Sequence, residues 1–476
     1  MSLQAPPTLL QLAVQSLVRN EEAAISALQD LPMDLFPPLC KEADTQRKAK
    51  MIKVLVTDWP YPCLPVGLLM SNPSLATYQA MLDGADTWLT RKFRPRKQRL
   101  QVLDLRKVYH DFWDVWAGRR GRDHSIKSVL EMQVMKGHSK KTQRRHLKVV
   151  SDLSFKSSLN EHQTQLLEWA EKRKGSLQLC CVKMEIGPLE VSKVKKVLRF
   201  LQPEFIKELE LNSVSRLSAL ADFVPCIVKM SNLQKLMLVR IFRRNTTTHA
   251  GERNIGKIIS VFSKLNCLRH LTIEDVYFLK DHLGQLFGGL KATLESLSIK
   301  LCKLSQSDLE AFSQDWNHCQ LKHLSLRGVA LTTLNVTPLK VLLERVADTL
   351  HTLKLKDCGM KDSHLSVLLP ALIRCTQLTS INFYDNDISM AALKDLLHHT
   401  ANLSQLTQEL YPAPVEVYDE ASYVLAERFS HFCAELMNTL VAVRQPNSVC
   451  FGSYACYDCG MRYIYETKTE PCDCLQ

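Results

Sequence analysis

The sequence predicts an α/β protein made of repeating strand–helix units, and three observations lead to this prediction. The first is the apolar pattern L-x-x-L-x-L-x-x-C-x-L, which LESLSIKLCKL (294–304) shows in full. The second is an amphipathic stretch after each copy of the pattern. The third is its recurrence at intervals of 26 to 35 residues, from starts at 206, 233, 268, 294, 321, 350 and 378. This combination is typical of a leucine-rich repeat solenoid, a curved horseshoe with a parallel sheet inside and helices outside.

The amphipathic stretches between the strands predict helices at DLEAFSQDW, PLKVLLERVA, HLSVLLPALI and AALKDLLHH. An earlier apolar run, SLQLCCVKM (176–184), predicts the strand that begins the array. RNTTTHAGERN (244–254), inside the longest interval, is interpreted as a loop insertion. Three helices also contain L-x-x-L-L, a motif that docks on nuclear receptors, but the repeat needs the same leucines for its core, so burial is the favoured interpretation.

Four regions follow from this pattern. We expect a helical N-terminal region at 1–90, a basic connecting segment and entry cap at 91–175, the leucine-rich repeats at 176–405, and a C-terminal helix with a Cys-rich cap at 406–476.

Composition narrows the class of protein. Hydrophobic residues are 46% and charged residues 23% of the chain, the balance of an ordinary folded protein. No apolar run reaches the length of a membrane span, and no basic segment precedes the short apolar stretch at the start, so we expect an intracellular protein in the cytoplasm, the nucleus or both. Most of its 16 cysteines should then be reduced and buried. No catalytic or phosphate-binding motif is found, so an enzyme is not expected.

The positive charge is concentrated in one segment. Residues 91–148 contain 18 Lys and Arg against 5 Asp and Glu, whereas the chain as a whole has a net charge of +12. Its clusters, RKFRPRKQR, GRRGR and KKTQRRH, resemble nuclear-import or polyanion-binding patches. A solvated linker with incidental charge is the alternative, and direct nucleic-acid binding is not expected because no nucleic-acid-binding fold accompanies the charge.

The repeat register predicts which side chains leave the core. Side chains alternate between the two faces of a strand, so the x positions of L-x-x-L-x-L point to the concave face. Lys300, Arg327 and Lys356 should stack there as one column, with Lys354 and Tyr384 nearby. This predicts a basic concave face that suits an acidic protein substrate. The alternative is that these are soluble residues on an unused face.

The amino terminus contains a first docking motif. Thr8 and Gln11 have the spacing of a capping box. The helix that follows places Leu9, Ala13 and Leu17 on one stripe. Thr8, Leu9, Ala13 and Leu17 match the elongin C-binding box T-L-x-x-x-C-x-x-x-L, except that Ala13 stands where cysteine is usual. Packing of this stripe within the chain is the alternative.

A second motif follows 13 residues later. Leu31, Pro32, Leu35 and Leu39 fit the cullin-2 box, and we expect Pro37 and Pro38 to stop or kink the helix early. The alternative is a plain core turn, and LPMDL also resembles the opening of an F-box. Two boxes in this order before a repeat array favour docking onto a ubiquitin-ligase scaffold.

The end of the chain is rich in cysteine. Cys456 and Cys459 form C-x-x-C-G, the form of a zinc knuckle, and Cys472 and Cys474 follow. Four thiolates suffice for a closed tetrahedral zinc site, which would staple a cap onto the last repeat. The alternative is a set of buried free thiols.

Specific strings along the whole chain carry a resemblance to a known family. They are LPMDLFPPL (31–39), LDGADTWL (82–89), RPRKQRLQVLDLRKVYHDFWDVW (94–116), LSIKLCKLS (297–305), LLERVADTLHTL (342–353), NFYDNDIS (382–389), LYPAPVEVYDE (410–420) and the Cys-rich tail. With these the chain resembles the PRAME (preferentially expressed antigen of melanoma) family of leucine-rich repeat proteins.

The resemblance implies a substrate-recognition adaptor of a cullin-2 RING ubiquitin ligase, with elongin B and elongin C as the bridge. It also implies repression of retinoic acid receptor signalling, and effects on proliferation, differentiation and apoptosis. A nuclear corepressor or scaffold without ligase activity, with nuclear receptors or chromatin proteins as partners, is the alternative function.

Overall fold

The computed structural model describes residues 6–70, 72–91, 100–106, 147–156, 159–188, 191–241, 249–314, 320–456, 460–466 and 469–470. The chain divides into two compact units. The first consists of Met1–Met184 with Ser192–Ile206, and the second of Glu185–Val191 with Lys207–Gln476. Residues of the predicted regions 1–90 and 91–175 therefore share one unit.

The first unit combines helices with short parallel strands. Its helices are α1 (Leu9–Arg19), α2 (Glu21–Ser26), α3 (Phe36–Thr45), α4 (Ala49–Thr57), α5 (Val66–Leu69), α6 (Leu75–Thr90) and α7 (Glu161–Lys172). Its strands are β1 (Cys63–Pro65), β2 (Val102–Asp104), β3 (Leu147–Phe155) and β4 (Leu177–Ile186), whose last two residues belong to the second unit together with the start of α8 (Val191–Val197). The predicted strand at 176–184 is confirmed by β4, whereas β1 to β3 were not predicted.

Helices α4 and α6 pack closely because of one glycine. A Cβ atom at Gly84 would lie 2.5 Å from the carbonyl oxygen of Lys53, so no other residue fits without moving a backbone. At the same crossing the Thr57 hydroxyl donates to the Gly84 carbonyl over 3.2 Å. This contact fixes the core against which the amino-terminal helices pack.

The second unit contains the repeats. Its strands are β5 (Glu208–Asn212), β6 (Lys235–Ile241), β7 (His270–Val276), β8 (Ser296–Lys300), β9 (His323–Arg327), β10 (Thr352–Lys354), β11 (Ser380–Asn382), β12 (Gln408–Pro412), β13 (Val449–Gly452), β14 (Ile464–Tyr465) and β15 (Thr469–Glu470). Strands β5 to β13 are parallel, and β14 and β15 add antiparallel to them. Each predicted repeat start is followed two residues later by a strand, which confirms the α/β leucine-rich repeat solenoid.

Helices lie between the strands of this unit, and those that begin at Gln306, Thr337, Asp362 and Met390 overlap the four stretches predicted to be helical. The helices are α9 (Leu217–Val228), α10 (His249–Ile259), α11 (Leu283–Gly289), α12 (Gln306–Glu310), α13 (Thr337–Arg345), α14 (Asp362–Leu372), α15 (Met390–His399) and α16 (Ala426–Val443). The leucines of the three L-x-x-L-L stretches are buried, as expected. The interpretation of 244–254 as a loop was wrong for its second half, because α10 begins at His249.

Seven repeats have a left-handed residue at the same repeat position, seven residues after the repeat start, within or just beyond the strand. The residues with positive φ at this position are Ser213, Arg240, Asp275, Leu301, Gly328, Asp357 and Asp385. The side chain of the next residue is buried. Asn386, for example, accepts hydrogen bonds from the backbone amides of Cys358 and Met360 through its Oδ1. The buried Cys358 thiol, at the same repeat position, donates to the Leu326 carbonyl over 2.7 Å. The polar or cysteine residue of the repeat pattern thus closes the turn.

The last full repeat places a charge in the core. Glu409 occupies the β12 position that Ile381 occupies in β11, and it is fully buried. Its Oε2 accepts from the Tyr411 hydroxyl over 2.7 Å and from the Arg444 guanidinium. Its Oε1 and the Nε of Arg444 have no hydrogen-bond partner among the described residues. This buried ion pair connects the end of α16 to the sheet.

Candidate docking surfaces

The amino-terminal helix stands with its first turn uncovered. The predicted capping box is present: the Gln11 amide donates to the Thr8 hydroxyl over 3.2 Å, and the Thr8 amide donates to Gln11 Oε1 over 2.7 Å. Val14 and Val18 are the residues of α1 that the first unit buries. Leu9 is 86% exposed, Ala13 is exposed and Leu17 is half-buried. The elongin-box-like residues therefore lie on the side of α1 that faces away from the core.

The cullin-box-like residues have mixed positions. Pro32 is exposed, Leu31 and Leu35 are half-buried, and Leu39 is fully buried in the core of the first unit. Leu39 is therefore a packing residue here, because a partner cannot reach it.

The prolines of this segment do not act as predicted. Pro37 and Pro38 lie in the first turn of α3, which continues to Thr45, so the expectation of an early stop or kink was wrong. Proline is tolerated there because the first amides of a helix have no partner within the helix. The Phe36 ring meets the buried Trp59 edge-on at 6.3 Å, which anchors the start of α3.

The outward face of the repeat sheet carries the predicted column. We call it the open face and define it by the side chains of β5 to β12 that alternate with the buried ones. Lys300 pairs in register with Glu274 on one side and with Arg327 on the other. Lys356 continues the row, since its carbonyl accepts from the amide of Gly328 over 3.0 Å.

Two of the four predicted cations, Lys300 and Lys356, already form ion pairs with acidic side chains of neighbouring repeats. Lys300 Nζ lies 3.2 Å from Glu274 Oε2, and Lys356 Nζ lies 3.2 Å from Asp385 Oδ2. Arg327 and Lys354 are exposed and form no ion pair with any described residue. The open face is thus basic at Arg327 and Lys354, and close to neutral at the two paired lysines.

Tyr384 lies in the same row but is covered. It is only 8% exposed, because Arg462 stacks over its ring at 4.9 Å from the centroid. Arg462 also binds Asp385 through Nη1 over 3.0 Å. Burial raises the pKa of the Tyr384 phenol well above its usual range. A client therefore meets the open face up to Lys356, while the expectation of Tyr384 as an exposed contact does not hold.

The predicted zinc ligands fall mostly outside the described residues. Cys459, Cys472 and Cys474 lie there, and Cys456 is half-buried. The Cys456 amide donates to the Met461 carbonyl over 2.6 Å, and Gly460 has a φ of 70°. Within the described ranges no group of three His, Cys, Asp or Glu side chains is placed to hold a metal ion. Zinc at these cysteines stays a prediction.

Most of the described cysteines are buried, as predicted, and desolvation raises the pKa of Cys40, Cys358 and Cys433 to about 12 in each case. These thiols are protonated at neutral pH and are packing groups.

No helix in the part of the chain that the structure describes is both long and apolar enough to cross a membrane.

These features define a leucine-rich repeat protein with an exposed amino-terminal helix and a partly basic sheet face. The model of the PRAME N-terminal domain matches residues 6–113, and that of the PRAME C-terminal domain matches residues 147–474. The chain belongs to the PRAME family.

Relatives match along the whole chain. Preferentially expressed antigen in melanoma-like protein 7 of Mus musculus is 58% identical over 99% of both chains, and PRAME family member 12 of Homo sapiens is 42% identical over 100% of this chain and 98% of its own. Among solved structures, a chain of the Rad7 and Elc1 complex in yeast covers 88% of this chain and 96% of its own at 15% identity and a TM-score of 0.41. An internalin from Listeria monocytogenes covers 60% of this chain and 86% of its own, with 14% sequence identity and a TM-score of 0.30.

Proposed function

We propose that this PRAME-family protein is a substrate-recognition adaptor of a cullin-2 RING ubiquitin ligase, present in the cytoplasm, the nucleus or both. Helix α1 would bind elongin C, which is held with elongin B, and the open face would bind the client. The observation that carries the proposal is the uncovered apolar start of α1, where Leu9, Leu10 and Leu12 are 86%, 52% and 47% exposed.

The physical chemistry of α1 supports a docking role. Three leucines in the first turn keep a large apolar area in water, and a partner that buries one such side chain gains about 2 kcal/mol. The capping box at Thr8 and Gln11 already holds the turn in helical form, so little ordering entropy remains to be lost on binding. Ala13, in place of the usual cysteine, is exposed and small, which lets a partner helix approach closely.

The second box would contribute less than its pattern predicts. Leu39 is unavailable, so a cullin-2 contact would rest on Pro32 together with the half-buried Leu31 and Leu35. In this proposal the chain performs no chemistry itself. It raises the effective concentration of client lysines near the ubiquitin-charged enzyme that its partners bring.

The test is direct binding of the purified full-length chain to an elongin B–elongin C heterodimer. We expect Leu9→Ser to weaken binding at least about tenfold, since it removes about 2 kcal/mol of apolar burial. Val441→Ser is the control, because Val441 is an apolar side chain on α16 that is 54% exposed and lies outside α1, and we expect less than about threefold from it. Both residues are exposed, so both variants should unfold at the same temperature as the wild type.

Three results would count against the proposal. One is a wild-type chain that does not bind the heterodimer, and another is an equal loss in Leu9→Ser and Val441→Ser. The third is a Pro32→Ala, Leu31→Ser variant that recruits cullin-2 through elongin as well as the wild type does, which would remove the second box. Affinity purification that recovers nuclear receptor or chromatin proteins without elongins would favour the corepressor or scaffold function.

A further inference from the structure

One position of the open face is surrounded by basic side chains. Ser325 lies in register between Ser298 of β8 and Lys354 of β10, at about 4.8 Å between Cα atoms. His323 and Arg327 lie two residues away on β9, on the same face and about 7 Å along the strand. We call Ser325, His323, Arg327 and Lys354 the Ser325 ring. The side chain at its centre, Ser325, is a short hydroxyl, whereas the surrounding side chains are longer and cationic or ionisable. The centre of the ring is therefore recessed.

The two permanent cations of the ring form no ion pair within the described residues. Arg327 and Lys354 have no ion-pair partner among the described residues, whereas Lys300 and Lys356 in the adjacent positions are paired. Burial, with His351 and His270, lowers the pKa of His323 below its ordinary value. Lys354 acts in the same direction. Burial is the largest cause of this shift, and the neighbouring histidines and lysines add to it through their positive charge.

The acids closest to the ring do not fill it. Glu295, at the start of β8, binds Arg269 over 2.8 Å and Lys322 over 3.0 Å. Asp357 lies beyond the end of β10, where its carboxyl is attracted by Lys356 and Arg327, while burial and Asp385 raise its pKa. Asp357 therefore bounds the ring at the far end of the strands, and the Ser325 side stays open to an anionic group.

A second, independent observation lies beside the ring. Leu301 is 52% exposed and has a φ of 51°. The left-handed conformation itself belongs to the repeat, but the other residues at that position are polar or glycine, and a bulky residue there is unfavourable. A Cβ atom at Gly328 would lie 2.6 Å from Leu301 Cδ2, so the leucine rests on the glycine as an apolar knob at the surface.

The two features have a defined spacing. Leu301 rests on Gly328, three residues along β9 from Ser325, which is about 10 Å in an extended strand. A client segment in the polyproline II conformation, which has three residues per turn and a rise of about 3.1 Å per residue, would span about 9 Å with three residues and point both side chains to the same side. Its anionic side chain would then meet the Ser325 ring while an apolar side chain three positions away contacts Leu301.

We propose that the open face binds a client segment in the polyproline II conformation that carries a carboxylate or phosphoryl group three residues from an apolar side chain, with the anion in the Ser325 ring and the apolar residue on Leu301. This inference deepens the proposed adaptor function, since it names the client class. Its test uses no elongin or cullin, so the two proposals fail separately.

The experiment measures binding of the purified full-length chain to degenerate 11-residue peptide pools. Each pool has a fixed phosphoserine, glutamate or serine at its centre, with leucine fixed three positions after or before it. We expect the phosphoserine or the glutamate pool to bind at least about tenfold more tightly than the serine pool in one of the two orders, since charge-assisted pairs with Arg and Lys contribute this much. The tighter of the two anionic pools identifies phosphoryl or carboxylate recognition.

Four variants locate the binding. Arg327→Gln and Lys354→Gln should each weaken the anionic pool about five- to tenfold, and Leu301→Asn should weaken it about threefold by removing the apolar contact. Lys340→Gln, on α13 and paired with Glu344, is the charge-matched control and should change nothing. Exposed side chains are changed in every case except the half-buried Lys340, and thermal unfolding confirms that each variant is folded.

Several outcomes would overturn the inference. Equal binding of the anionic and serine pools would remove the anion, and an equal loss in Lys340→Gln would show that only net charge matters. A single-stranded oligonucleotide that displaces the peptide, with the same dependence on Lys354, would make the ring a nucleic-acid contact and overturn the protein client.

Discussion

The middle and the end of the repeat sheet share one register but differ in what covers their outward side. From β8 to β10 the side chains of the open face are exposed or half-buried, and Arg327 and Lys354 lack ion partners among the described residues. Just after β11 the same row is covered by the chain itself, because Arg462 lies on Tyr384. The repeat pattern decides which way a side chain points, whereas contacts distant in sequence decide whether a partner can reach it.

The largest effect should come from the end of the sheet. Glu409→Ala leaves the Arg444 guanidinium, with 11% of its side chain exposed, without its carboxylate, and we expect a loss of about 3–5 kcal/mol in the free energy of unfolding. Chemical denaturation measured by circular dichroism gives the value. The double change Glu409→Leu, Arg444→Leu is the control, because two apolar groups of similar size leave no charge buried. If it restores the free energy of unfolding, the loss in Glu409→Ala comes from the unpaired arginine. A single variant as stable as the wild type would contradict this account.

A smaller effect is expected from the cover. Arg462→Ala removes the ion pair with Asp385 and the cation–π contact with Tyr384, both largely buried, and should cost about 2 kcal/mol. Amide hydrogen exchange should rise in 449–465 and stay unchanged in β8 and β9. Arg327→Ala is the matched control in the open section and should stay within about 0.5 kcal/mol of the wild type. Equal losses of stability in Arg462→Ala and Arg327→Ala would contradict the difference between the covered and the open part of the sheet.

The smallest effect has the opposite sign. Leu301→Asn places a residue that tolerates the left-handed region at a φ of 51° and removes an exposed apolar side chain, so we expect about 0.5–1 kcal/mol of added stability. Leu301→Ala, which keeps the unfavourable backbone conformation, should not stabilise the protein. A gain in stability together with weaker binding of the leucine-containing peptides would show that the leucine is retained for contact with a client.

Periodicity was sufficient to predict the repeats from 206 to 405. The strands from β5 to β11 lie where the apolar pattern puts them, since burying the alternate leucines leaves no other register. The next repeat was missed because Glu409 and Tyr411 replace two of its apolar residues, and only the distant Arg444 makes the glutamate acceptable in the core. Strands β1 and β2 were missed because three residues are too few to show an alternation.

The candidate surfaces were predictable in direction but not in availability. The stripe of α1 is read from its helical spacing, and the structure places it away from the core. The pairing of Lys356 with Asp385 depends on which side chains meet across neighbouring strands, and the covering of Tyr384 depends on a residue 78 positions later. The motif at Leu31 to Leu39 could not show that Leu39 is sealed, since an apolar residue fits both a docking site and a core.

The glycine at the end of β13 affects how much of the open face another protein could contact. A Cβ atom at Gly452 would lie 3.0 Å from Cζ of Tyr384, so the phenol ring rests directly on this backbone. Any larger residue at 452 would have to displace the ring by a few tenths of an ångström, which disturbs its contact with Arg462. The absence of a side chain at 452 therefore lets the last part of the sheet seal itself against a visiting protein.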